Sequence, residues 1–95
     1  MELLTDDQIT AELSESPGWA LENGEITRTI ERRDFKDALL LVGAVAFLAE
    51  EANHHPDIDI RWNKVTLTLS THSAGGLTAA DFALARRVSA LVGPA

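Results

Sequence analysis

Three histidines, His54, His55 and His72, lie within 19 residues of a 95-residue chain that contains no cysteine. Imidazole ordinarily titrates near neutrality, so one side chain can deliver or accept a proton as a reaction demands. The absence of cysteine removes disulfides, thiolate metal sites and cysteine nucleophiles together, and fits a reducing compartment. Imidazole, carboxylate and hydroxyl groups remain for chemistry. A single histidine near a helix end is explained by the attraction of its cation to the helix dipole. Three of them near Gly75-Gly76 and Trp62 point instead to a proton-transfer cluster.

A metal centre is the competing arrangement, because three imidazoles can hold zinc with a fourth position open, and Glu50 or Asp57 can complete the set. The spacing disfavours it. Adjacent residues usually point apart, and helical ligand pairs stand four residues apart as in His-Glu-x-x-His, which is absent here. Two carboxylates carry two readings each. Asp81, three residues after Thr78, is the acid of a helix capping box. It also precedes Leu84 by three, close to the inward side of that helix, where it can orient or charge-stabilise a histidine. Glu50, one turn before His54, is either solvated or a support for a histidine. Gly75-Gly76 lacks the lysine and hydroxyl residue of a phosphate loop and reads as a turn. Trp19 and Trp62 offer flat surfaces to a heteroaromatic ligand, but alternation groups Trp62 with the apolar residues of its strand and so with the core.

The elements that must position these residues follow from period and punctuation. Thr5 as N-cap, Gln8 three residues on, and Leu4 with Ile9 as a hydrophobic staple open a short helix over residues 5–14, which Ser16-Pro17-Gly18 stops. Asn23-Gly24 predicts a two-residue hairpin, with a return strand from Glu25 to about Arg33. Arg28 and Arg32 share a face with Ile26 and Ile30, which suggests an edge strand. Asp34 caps a long helix that ends near Asn53, before Pro56. That helix is apolar nearly all round. The surplus of Leu39, Leu40, Leu41, Val42, Val45, Phe47 and Leu48 predicts a homo-oligomer built partly on it. Ile58, Ile60 and Trp62 alternate with Asp57, Asp59 and Arg61, and Asn63-Lys64 turns the chain into a strand running from Val65 to Thr71. Val65, Leu67 and Leu69 face one way and Thr66, Thr68 and Ser70 the other, with His72 on the polar side by parity. Thr78 then opens a last helix with Leu84, Val88, Leu91 and Val92 inward. The expected fold is α+β, a two-layer sandwich in α-ββ-α-ββ-α order: one four-stranded antiparallel sheet with three helices on one face.

A chain of this length builds one core, so residues 1–95 form a single domain. Fifteen acids against eight bases give a net charge of -7, which repels phosphate backbones and argues against nucleic-acid binding. The N-terminal MELLTDDQ lacks the basic and apolar regions of a signal peptide, and the longest uncharged stretch, 38–49, has 12 residues where a membrane span needs roughly 20. A cytoplasmic protein without a membrane anchor is expected.

Taken together, Glu50, three residues, His54-His55-Pro56, five residues, Trp62, nine residues, His72, eight residues and Asp81 form a series that resembles the pterin-4a-carbinolamine dehydratases at every spacing. Asn63-Lys64-Val65, Ser70-Thr71-His72 and Gly76-Leu77-Thr78 add to the likeness, which extends over nearly the whole chain. The resemblance implies a lyase that removes water from a 4a-hydroxytetrahydropterin such as 4a-hydroxytetrahydrobiopterin to give a quinonoid dihydropterin, with no cofactor or metal. It implies His54 and His72 as the acid/base pair, His55 in substrate binding and proton handling, and Glu50 and Asp81 orienting them. Substrate binding falls by the same match to Asn53, His54, His55, Ser70, Thr71, His72 and Ser73, while the homo-oligomer expected from the apolar middle helix is a homodimer or homotetramer. Asn53 stands where animal members carry aspartate, Ile58 where they carry tryptophan and Ala80 where they carry arginine. These departures bear on which pterin is accepted. A non-enzymatic interaction module using the apolar middle helix is the alternative from another class.

Overall fold

The computed structural model describes residues 2–94. The chain runs α1 (Asp6–Ser14), β1 (Ala20–Glu22), β2 (Glu25–Glu31), α2 (Phe35–Ala52), β3 (Asp57–Arg61), β4 (Lys64–Leu69), a 3-10 turn (His72–Ala74) and α3 (Ala79–Val92). All strands pair antiparallel in the order β1-β2-β4-β3, so the two hairpins join through β2 and β4. Period two decides the faces. Ile26 and Ile30 of β2 and Val65, Leu67 and Leu69 of β4 are buried against Ala38, Leu41, Val45 and Ala49 of α2 and Phe82, Leu84, Ala85 and Val88 of α3. Threonines occupy the open face, where Thr29 and Thr66 hydroxyls meet at 2.9 Å and those of Thr27 and Thr68 at 3.4 Å. The α+β sandwich expected from the sequence is therefore the fold.

The local start signals form as their chemistry requires. Thr5 and Gln8 exchange side-chain and backbone hydrogen bonds in a complete capping box, Asp34 Oδ1 accepts from the Asp37 backbone N–H, and Thr78 with Asp81 makes a second box. Leu4 and Ile9 pack half-buried against the core. Asn53 ends α2 at a φ of 48°, a left-handed conformation that asparagine tolerates better than most residues.

Four expectations change. β2 lies between β1 and β4, and only its second half, beyond Thr27, is left as an open edge. Its arginines are accommodated separately: Arg28 is buried with Nη1 donating to Ser89 Oγ at 3.1 Å, and Arg32 pairs with Asp37. The second hairpin turns on Trp62-Asn63, because Lys64 already pairs with Arg61. Trp62 thus leaves the strand alternation at a φ of 55° and stands 67% exposed, outside the core. Leu91 is exposed in the last turn of α3, while Val92 beside it packs against the core. On α2, Phe35, Leu39, Leu40 and Phe47 all remain exposed, the unpartnered apolar surface that the sequence anticipates. No helix among the described residues is long and apolar enough to cross a membrane.

Candidate active site

The end of α2, the end of β4 and the start of α3 meet around one carboxylate. Asp81 is fully buried, and its two oxygens divide the two tasks its sequence position suggests. Oδ2 accepts the Thr78 backbone N–H at 2.9 Å, closing the helix cap, and the Thr71 hydroxyl at 2.8 Å. Oδ1 lies 2.5 Å from His54 Nε2. With its proton committed to Asp81, Thr71 Oγ1 accepts from the Thr78 hydroxyl at 2.8 Å, so a directed chain runs Thr78, Thr71, Asp81. A buried carboxylate with this many donors satisfies its lone pairs inside the protein, and its place in the first turn of α3 adds the favourable helix dipole. Because a carboxylate accepts, His54 carries its proton on Nε2. Nδ1 is then the nitrogen left to exchange a proton, and no partner for it is found among the described residues.

His54 reaches Asp81 because Asn53 turns the chain out of the helix while the His54 N–H still donates to Ala49 O at 3.1 Å. His55, one residue on, faces outward: its Nε2 is 2.5 Å from Glu50 Oε2, but both side chains are more than half exposed. His72 follows Thr71 directly and is exposed on the 3-10 turn, which the Thr71 carbonyl caps by accepting from Ala74 and Gly75 N–H and from Gly76. His54 is thus tied to Asp81 by its own hydrogen bond, and the residue before His72, Thr71, is tied to it through its hydroxyl.

The remaining site residues are spread around this centre. Asn53 and Ser73 are exposed, Ser70 is half-buried, and Thr71 is buried with its hydroxyl engaged by Asp81 and Thr78. Beside His72 lies a depression of about 300 Å³ lined also by Ser70, Gly75, Gly76 and the Asn23-Gly24-Glu25 turn. Glu25 carries no sequence signal that marks it for the site. It accepts from Ser70 Oγ at 3.0 Å, a contact 45 residues apart that only the β2–β4 register creates. Among the described residues, no group of three or more histidine, aspartate or glutamate side chains is gathered as a metal ion would need.

Comparison with known proteins places this geometry. The family model for pterin 4 alpha carbinolamine dehydratase matches residues 2–91. A protein of Nocardia farcinica named "putative pterin-4-alpha-carbinolamine dehydratase" is 54% identical over 90 residues, covering 95% of each chain. A solved structure described as a transcriptional coactivator/pterin dehydratase from Brucella melitensis superposes with a TM-score of 0.92 at 33% identity, over 97% of this chain and 100% of that one. A second, a pterin dehydratase-like protein identified as a RuBisCO assembly factor in the alpha-carboxysome, gives 0.65 at 26% identity over 84% and 93%.

Proposed function

Since this chain belongs to the pterin 4 alpha carbinolamine dehydratase family, we propose that it removes water from a 4a-hydroxytetrahydropterin, 4a-hydroxytetrahydrobiopterin or a close relative. The C4a–O bond breaks as an acid protonates the departing hydroxyl, the N5 lone pair forms the C4a=N5 bond, and a base takes the N5 proton. Water and the quinonoid dihydropterin are the products. His54 and His72 are the acid/base pair, with Nδ1 of His54 as its working nitrogen. Asp81 holds His54 in that tautomer and stabilises its cation, as a buried carboxylate does for a catalytic imidazole. His55 binds substrate and shares in proton handling with Glu50 beside it. Asn53, Ser70, Thr71 and Ser73 line or support the binding surface, Thr71 through its hold on Asp81. The observation that carries the reading is the buried His54–Asp81 pair with a free Nδ1.

The decisive measurement is the decay of 4a-hydroxypterin absorbance with and without the purified protein. Wild type accelerates it, and His54→Ala combined with His72→Ala returns it to the spontaneous rate. Unaltered turnover in that double variant sinks the assignment.

The exposed apolar residues of α2 support self-association into a homodimer or homotetramer, and the acidic, cysteine-free composition suits the cytoplasm. The same helix favours a second reading as an interaction module, since two structural relatives are described as a coactivator and an assembly factor. Because such a module can itself dimerise through this helix, the separating test is ligand and partner together: a stable heteromer in pull-down with no pterin bound favours the module, and pterin binding with turnover favours the enzyme.

A further inference from the structure

Arg28 lies on the core side of β2 between Ile26 and Ile30 and is 6% exposed. A charge removed from water this far normally faces an opposite one. Among the described residues Arg28 has no carboxylate within 4.0 Å, and its single side-chain hydrogen bond goes to the neutral Ser89 hydroxyl at 3.1 Å. Burial pushes its guanidinium below the ordinary arginine value, yet arginine does not discharge at neutral pH. The end of α3 nearby supplies only partial negative charge.

The guanidinium borders a cleft of about 450 Å³ that Arg32 and Gly18 also line. Gly18 is there for room: a Cβ would stand 2.9 Å from the Pro94 carbonyl oxygen and 3.0 Å from Arg28 Nε, and its φ of 93° is strained for other residues. Arg32, half-buried on the rim, contributes a second guanidinium, whose Nη2 donates to Asp37 Oδ1 at 3.4 Å. Its Nε sits 3.3 Å from Asp37 Oδ2 but is not aligned for a hydrogen bond. The sheet opens at the same place. Pairing of β1 with β2 stops at Ala20–Thr27, and the Arg32 N–H to Asn63 O bond sets the rungs toward β4 on Arg32, Ile30 and Arg28. The backbone N–H groups of Thr29 and Glu31, together with their carbonyls, therefore point out from the uncovered edge of β2 into the cleft, where the N–H groups are donors for an anion. The Glu31 carboxylate turns to Asn63 Nδ2 at 3.4 Å.

We propose that this cleft is an oxyanion-binding site, in which a carboxylate or phosphate group supplies the counter-charge of Arg28 and accepts from Arg32 and the free edge of β2. It is independent of the histidine site. The test is thermal unfolding of the full chain in inorganic phosphate, acetate or chloride at matched ionic strength, beside a titration of Trp19 fluorescence, since Trp19 Nε1 and Arg28 share Ser89 Oγ. Wild type is expected to bind saturably, with its midpoint temperature raised over chloride. Response to phosphate alone assigns a phosphorylated ligand, and response to acetate as well assigns carboxylates. Arg28→Met, which keeps the stem and removes the charge, is expected to fold at least as stably in chloride and to bind about tenfold or more weakly. Equal shifts in wild type and variant, or no saturable shift in wild type with either anion, overturn the site. Should Arg28→Met fail to fold, Arg32→Gln on the rim decides: a midpoint concentration raised several-fold supports it, and an unchanged one overturns it.

Discussion

His54 and His55 are neighbours in the chain, and each has a carboxylate oxygen 2.5 Å from Nε2, yet the two pairs are physically different objects. The His54–Asp81 pair is 14% and 0% exposed, and its carboxylate is locked by Thr71 and Thr78. The His55–Glu50 pair is 56% and 76% exposed and rests on no further group. Water and salt compete for the second pair and not for the first, so equal lengths carry unequal energies. What makes an imidazole a positioned acid or base is therefore the support behind its carboxylate.

The sharpest way to break this contrast is Asp81→Asn. The amide oxygen has to face the Thr78 N–H and Thr71 hydroxyl, which turns the NH₂ toward His54 and drives its proton from Nε2 to Nδ1, the nitrogen that the proposed reaction uses. Expected is a fall in kcat of about two orders of magnitude or more with the fold retained, read from steady-state kinetics beside circular dichroism. Wild-type turnover in that variant would show that the pair is structural only.

Thr71 tests the support one step further out. Thr71→Val strips one hydroxyl donor from the buried carboxylate and removes the Thr71–Thr78 contact, a loss of about 1–3 kcal/mol in unfolding free energy. kcat is expected to drop about tenfold, and Thr71→Ser to restore both. Equal defects in Val and Ser variants would show that the hydroxyl is not what matters.

Glu50→Gln is the smallest effect. An exposed pair contributes about 1 kcal/mol at most, so stability and kcat change by less than about fivefold in equilibrium or rate, and adding salt to wild type reproduces much of the change. A loss as large as that of Asp81→Asn would mean that His55, not His54, is the supported catalyst.

Much of the fold is legible in the order of residues alone. Capping boxes, the Asn23-Gly24 hairpin and the alternation of β4 depend on residues one to four positions apart, and all of them form. The same rules fail at Trp62 and β2. Alternation across Ile58, Ile60 and Trp62 carries no mark of where the strand ends, and a strand with two inward arginines looks like an edge until Ser89 and Asp37 are brought to them.

The histidine series and the elements bearing it were determined by the sequence itself, because spacing and local hydrogen bonds need no distant partner. Which carboxylate serves which histidine was decided by tertiary structure alone. His54 and Asp81 stand 27 positions apart, and only the packing of α2 and α3 on one sheet face brings them together while burying Asp81 from water. His55, on the other side of the same peptide bond, stays in solvent.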